Sequence, residues 1–330
     1  QRLQAVSGPA FDAALARGQR YLAFARRLDV PATAPQPTAP PEPRPPLAAR
    51  PRQLSVTAIE NLLRDPYTIY AQRILRLTPL DAVDTPPGAA DRGTVIHGAI
   101  EDFVRRHSDL LPDDAAAELL ALGRARFRAL DDYPEARAFW WPRFVRVAQW
   151  FAAWETERRP LLAALTAEAD GRIIIPLPDG DFTLTARADR IEHHADGAYA
   201  IVDYKTGRVP SDKEVASGLS PQMTLEAAIL RDGGFAGIPK GGTVRALTYV
   251  GLKGGEPPGV ERQVAFKNSS PDTEADRALA ELTKVLHRYA DPAEPYRSLA
   301  LSMWSTRYGD YDHLARVKEW AGGAAGEDDA

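Results

Sequence analysis

Two stretches of the chain alternate apolar and polar residues with a period of two. They run Thr183-Leu-Thr-Ala-Arg-Ala-Asp-Arg-Ile-Glu192 and Tyr199-Ala-Ile-Val-Asp-Tyr-Lys-Thr-Gly207. Both are rich in β-branched and aromatic residues, and an Asp-Gly turn signal separates them, so they read as a β-hairpin. Elsewhere the period lengthens to that of a helix. Residues 1–28 read as a helix, as does the run Ile59, Leu62, Leu63, Tyr67, Tyr70, Ile74, which a Thr57–Glu60 capping box or a Ser55 cap would open. Ile96, Ala99, Ile100 and Phe103 mark a helix that carries His97 and Glu101 one turn apart. The pattern stays helical from Ala115 to Leu165, with Trp140, Phe144, Ala148, Phe151 and Trp154 as a buried row and Pro142 in a first turn. Thr166–Pro176 reads as a strand ahead of the hairpin. After it come a helix opened by Pro221-Gln222, strands at Thr243–Gly251 and Val260–Phe266, and helices at Pro271–Ala290 and Tyr311–Trp320. Helix, three strands, helix, strand is the order of an α/β fold with a mixed sheet flanked by helices; residues 115–165 add a helical subdomain.

The hairpin turn decides what its charged residues can do. A two-residue Asp196-Gly197 loop sets Asp189 opposite Tyr204. A three-residue loop, Ala195-Asp196-Gly197, pairs His194 with Ala198 and sets Asp189 across from Asp203. The longer loop needs a left-handed residue at its third position, where Gly197 stands, and is therefore expected. Asp203 and Lys205 are two apart and leave the same face of their strand. Two carboxylates facing each other across a ladder repel, which favours a cation between them; magnesium is the usual hard ion beside phosphate. Lys205 would then stand where it can orient a water or stabilise charge on a phosphate. This is the constellation of a metal-dependent phosphodiesterase. A bare D-x-K, however, occurs by chance about once in a chain this long, and solvated strand ends carry such charges too.

Composition narrows the setting. The 330 residues are 44% hydrophobic and 26% charged, with a formal charge of −4, which is not that of a protein binding nucleic acid over its whole surface. The acids gather at Asp109–Glu118 and Glu327–Asp329, while arginines gather at Arg124/Arg126/Arg128, Arg143/Arg146 and Arg158/Arg159. Nine prolines between 31 and 51 describe an extended spacer. The expected organisation is a helical remnant of a preceding domain (1–28), a Pro-rich linker (29–52), a catalytic domain (53–321) and an acidic flexible tail (322–330). No apolar run is long enough to span a membrane, and there is no cysteine; a cytoplasmic location is expected. No G-x-x-x-x-G-K-[ST] loop is present, so ATP hydrolysis is not expected of this chain.

The order G-x-x-x-H (Arg92-Gly-Thr-Val-Ile-His97), Asp189, Asp203-Tyr-Lys205 and Gln222 resembles the PD-(D/E)XK nuclease superfamily in its RecB-like exonuclease branch. With Leu54–Glu60, Asp65-Pro-Tyr67, Thr206-Gly207 and Gly309–Ala315 it resembles the AddB family of nuclease domains, from helicase–nucleases that resect double-strand breaks. The resemblance covers about residues 52–321. It implies a restriction-endonuclease-like fold and a Mg²⁺-dependent deoxyribonuclease acting on single-stranded ends of unwound DNA beside an AddA-like helicase subunit. By the same resemblance His97, Asp189, Asp203 and the Tyr204 carbonyl bind metal, Lys205 is the catalytic lysine, and Gln222 steadies the site or the DNA; Glu101 joins the substrate side of the cleft. A histidine ligand suits manganese better than magnesium, so Mn²⁺ is expected to serve as well. Two features depart from the family. Relatives often bind an iron–sulfur cluster through cysteines, one of them where Asp65 stands, and a chain without thiols is expected to hold none. A tyrosine commonly follows the glutamine by four residues, where this chain has Glu226. A nuclease fold that only clamps DNA or braces a partner, and a different metal-dependent hydrolase, remain the alternatives.

Overall fold

The computed structural model describes residues 2–30, 38–80, 85–299 and 309–321. The chain divides into two compact units, residues 1–40 with 316–330 and residues 41–315. The smaller unit holds helix α1 (Arg2–Asp29), interrupted at Gly8, whose φ of 51° leaves the helical region just before Pro9.

The larger unit is organised about one mixed sheet. It opens with strand β1 (Gln53–Ser55) and helix α2 (Val56–Arg64). Ser55 caps α2 by accepting the Ala58 N–H at 3.2 Å. The expected Thr57–Glu60 box does not form: Thr57 lies inside the helix with its hydroxyl 2.9 Å from Ser55 Oγ, and Glu60 pairs with Arg64. Helix α3 (Pro66–Ile69) follows at once, with Pro66 in its first turn. Its Asp65 ties two distant parts of the chain together, because Oδ2 accepts the Thr68 hydroxyl at 2.6 Å and Oδ1 accepts the Leu299 N–H at 2.9 Å.

Three helices form one layer: α4 (Ala89–Arg106), α5 (Ala115–Phe127) and α6 (Pro134–Arg158). The expected stripe of α4 is buried, and so is the aromatic row of α6, which is core rather than a stacking surface. Pro134 opens α6, so Pro142 lies inside the helix instead of in a first turn. Strand β2 (Leu162–Ile175) begins four residues before the expected Thr166. Strands β3 (Phe182–His194) and β4 (Tyr199–Lys205), helices α7 (Asp212–Ala216) and α8 (Gln222–Arg231), strands β5 (Val244–Gly251) and β6 (Val260–Gln263) and helix α9 (Pro271–Tyr289) complete the unit. The last helix, α10 (Val317–Ala321), is shorter than the expected Tyr311–Trp320 and belongs to the smaller unit. Ahead of it, the Tyr311 hydroxyl donates to the Leu77 carbonyl at 2.7 Å.

The six strands run in the order β1-β3-β4-β5-β6, with β2 on the other edge of β3. Two cores sandwich the sheet. One joins Ile201, Leu247 and Tyr249 to α2, α8 and α9. The other joins Val202, Tyr204 and Val250 to α4, α5 and α6. Strand β4 thus alternates between two buried faces, which explains its nearly uniform hydrophobicity. The β2–β3 ribbon passes from one core to the other: Ala169, Ile173, Leu184 and Ala188 face the first, whereas Leu165 and Ala167 pack on the second. At the crossing Glu168 has a φ of 50°, the left-handed region that a side chain rarely adopts.

Candidate active site

The hairpin has the three-residue loop. The His194 N–H donates to the Ala198 carbonyl at 2.9 Å, the Gly197 N–H donates back to His194 at 3.0 Å, and Gly197 takes a φ of 84°. The β3–β4 ladder follows from it and ends at Arg190 opposite Val202; the next step places Asp189 across from Asp203. There the strands part. On the same edge of β3, β1 pairs with Thr183–Thr185, and Asp189 fills the fork between the two partners. Its Oδ2 accepts the Tyr204 backbone N–H at 2.8 Å, replacing the lost ladder bond, and lies 3.0 Å from His97 Nε2 on α4. That hydrogen bond raises the His97 pKa against the opposing effect of burial, with the charges of Asp189, Glu168 and Asp203 adding to it.

Asp203 is only 2% exposed. Its Oδ1 accepts from Lys205 Nζ at 2.9 Å and from Gln222 Nε2 at 2.8 Å. Its Oδ2 lies 2.8 Å from the same ammonium but out of line for a hydrogen bond, and is buried without one. Burial, opposed by Lys205 and reinforced by Asp189, pushes the Asp203 carboxyl up to about 6. For Lys205 burial acts downward, but the charges of Asp203 and Asp189 outweigh it and the pKa rises, keeping the ammonium charged. Gln222, the first residue of α8, completes the cluster: its Oε1 accepts from Lys205 at 3.3 Å, and its Nε2 also donates to Glu226 Oε1 at 3.1 Å.

The structure therefore forms two hydrogen-bonded sets side by side, His97–Asp189 and Asp203–Lys205–Gln222, joined through the backbone of β4. The backbone of Tyr204 belongs to the first set through Asp189, while its ring packs edge-on to Phe151 and His97. Glu101 lies beside that set, with His97, in an open pocket of about 420 Å³ that Gly93, Thr94, Gly98, Arg126 and Thr206 also line. Glu101 is engaged by Arg105 and Arg187.

One acid of the site, Glu168, escaped the sequence reading, and a second, Glu226, entered it only as a departure from the family. Glu168 falls between the pairs Ala167–Arg190 and Ala169–Ala188, beside Asp189. Its carboxylate, that of Glu101 and the His97 imidazole offer ligand atoms all within 4.8 Å of one another. Burial, Asp189 and Glu101 raise its pKa. The β2–β3 connection is too long for a turn rule to fix that register. Glu226, the residue in the tyrosine position, is buried and coupled to Asp203 through Gln222.

Among the described residues, the donors close enough together to share one divalent cation are His97, Glu101 and Glu168; Asp189 bonds the same imidazole, and the buried Asp203 Oδ2 makes no hydrogen bond, with the Lys205 ammonium 2.8 Å away as its charge partner. Such an oxygen costs free energy unless something else compensates it. Most of the arginine clusters are committed elsewhere. Arg126 pairs with Asp102, Arg158 with Glu192 and Glu261, and Arg159 with Glu155, while Arg146 donates to the Gly254 carbonyl. A groove of about 600 Å³ runs along β1, β2 and β3, lined by Gln53, Ser55, Arg172, Thr185 and Arg187. Thr185 and Arg187 share the strand face of Asp189.

A mixed sheet between helices, with opposed aspartates and a lysine at the fork of two strands, defines a fold and centre suited to metal-assisted phosphodiester chemistry. A sequence profile of the PD-(D/E)XK nuclease superfamily matches residues 53–301, and the chain belongs to that superfamily. An uncharacterized protein of Rickettsia felis is 27% identical over 297 residues, 81% of this chain and 34% of that protein. One from Rickettsia bellii is 30% identical over 185 residues, 56% of this chain and 22% of that protein. The chain thus spans about a third or less of these relatives. Among the described residues, no helix is long and apolar enough to cross a membrane.

Proposed function

We propose that this chain is a divalent-metal-dependent DNA nuclease of the RecB-like branch, the nuclease part of an AddB-type subunit that trims single-stranded ends during double-strand break resection. The observation that carries the reading is the Asp203 carboxylate, buried opposite Asp189, with one oxygen hydrogen-bonded by Lys205 and Gln222 and the other held only by the charge of the same ammonium. Asp189, Asp203 and His97, with the Tyr204 carbonyl, would hold Mg²⁺ or Mn²⁺. When bound, such an ion polarises a phosphate and acidifies water. The protein does the rest by position. Asp189 holds the Tyr204 backbone and the His97 ring, so the two strands and α4 move as one piece. Lys205, fixed by Asp203 and Gln222, presents a cation where charge builds on a phosphate. Arg187 and the groove beside it give a polynucleotide a route along β3. ATP-driven unwinding would come from an AddA-like partner.

Labelled single-stranded and duplex DNA incubated with Mg²⁺, Mn²⁺ or EDTA test the reading. Cleavage should require metal and fall at least about 1,000-fold in Lys205→Ala and in Asp203→Asn, the scale of losing an essential charged group. Wild-type rates in EDTA or in Lys205→Ala overturn it, and metal-independent DNA binding without any cutting identifies a bracing module instead.

A further inference from the structure

Glu226 does not contact a metal-binding residue, yet it sits one helical turn beyond Gln222 on the same face of α8. It is 1% exposed. One carboxyl oxygen accepts from the Gln222 amide, and the other is buried with no hydrogen-bond partner. An acid so placed is expensive to bury, and neither the proposed metal set nor the packing of α8 needs it. The clue lies in the amide it touches. Gln222 has two ends of opposite polarity and could sit either way round. As it stands, its carbonyl faces the Lys205 ammonium, and its two N–H groups are divided between Asp203 Oδ1 and Glu226 Oε1. Turned over, it would set donors against an ammonium and an acceptor against two carboxyl groups. Asp203 can satisfy only one of the two N–H groups; Glu226 takes the second.

We propose that Glu226 is a positioning residue that locks the Gln222 amide and thereby aims Lys205 at the reacting phosphate. Its carboxyl need not be ionised to do this, since the carbonyl oxygen of a neutral acid still accepts a hydrogen bond, without the added strength of a charge. Burial, with the Asp203 charge adding to it, holds its pKa well above the usual range. A glutamine in the same place keeps an acceptor. Methionine fills the volume without one, and aspartate withdraws the oxygen by one methylene.

The test combines kinetics with a readout independent of activity. The kinetic arm rests on the nuclease reading; the spectroscopic arm does not. With saturating Mg²⁺, Glu226→Met should lower kcat about 10-fold and leave KM within about 2-fold, and Glu226→Gln should keep kcat within about 3-fold of wild type. In a Gln222→Ala background, Glu226→Met should cost nothing further, because a residue acting only through another shows complete coupling in a double-mutant cycle. In protein labelled with ¹⁵N at glutamine side chains, the Gln222 amide pair, assigned by its loss in Gln222→Ala, should exchange slowly with solvent. It should exchange faster in Glu226→Met and remain slow in Glu226→Gln. Should the methionine variant fail to fold, Glu226→Asp takes its place with the same expectations. Equal losses from Glu226→Met with and without Gln222, or a Gln222 amide that exchanges at the same rate in all variants, overturn the proposal. If wild type cuts no DNA while the amide behaves as described, the nuclease reading falls and the locking of Gln222 stands.

Discussion

Asp203 carries a conflict between stability and the site. Its carboxyl is buried opposite Asp189, so its folded-state pKa lies near 6, above the ordinary 3.8. A folded state that binds the proton more tightly loses stability as pH rises from about 4 to about 6, and the penalty is complete above that range. In EDTA at pH 7.5, Asp203→Asn should therefore unfold a few degrees higher than wild type, even though it cannot cleave; for a domain this size each kcal/mol moves the midpoint by about 2–4 °C. Adding Mg²⁺ should raise the wild-type midpoint and not the variant's. A scanning-calorimetry midpoint for the variant at or below that of the wild type contradicts this account. Period-two alternation puts Asp203 on the right face but does not reveal its burial, because both faces of β4 are covered.

Among the elements, the segment after Lys205 shows how a local signal can hold a site loop. Helix α7 is only five residues long, yet it carries a full capping box. Ser211 accepts the Glu214 N–H at 3.3 Å, and Glu214 Oε2 accepts the Ser211 N–H at 2.8 Å. The Arg208 guanidinium grips the same carboxylate, and these bonds hold the Glu214 pKa down to about 2 from an ordinary 4.5. A depressed carboxylate stabilises above its unfolded pKa and loses that effect as pH falls through its folded one. Urea unfolding of wild type and Glu214→Gln should differ most at pH 6–7. The difference should narrow between about pH 4.5 and 3; a constant gap over that range refutes the assignment. The box is written in the sequence as Ser211-Asp-Lys-Glu214. What made the hairpin readable was similar, a turn whose length and glycine fix its register. The sequence could not supply the contacts made by long connections: β1 joining β3 from about 130 residues away, and Glu168 meeting Asp189 across a ladder that no short turn defines. Propensity also misplaced the start of β2, because Leu162–Leu165 carries alanines that suit a helix equally well.

Across the larger unit, the helical layer and the sheet are joined by a buried ionic network. Arg190 on β3 is fully buried and bonds Glu192 at 2.8 Å, Glu155 of α6, and the Tyr204 hydroxyl at 3.3 Å. Arg158 adds two bonds to Glu192, and its guanidinium lies 5.0 Å from the centre of the Trp154 ring. Removing one member of such a set strands charges of the other sign. Arg190→Met should cost about 3–5 kcal/mol in chemical denaturation, and a loss below 1 kcal/mol would mean the network is hydrated rather than dry. Since Arg190 adjoins Asp189 and touches Tyr204, the variant reports on whether the site keeps its shape when the two layers loosen.

The Asp65 link has one more consequence. It pins Leu299 to the start of α3 with a carboxylate. Stripping the protein of metal should silence cutting while amide protection around Tyr67 and Leu299 persists. Asp65→Ala should do the opposite, freeing that seam to exchange and leaving the residues of the cleft in place. The seam at Asp65 and the charged cleft would then fail independently, one seen by amide exchange and the other by loss of cleavage.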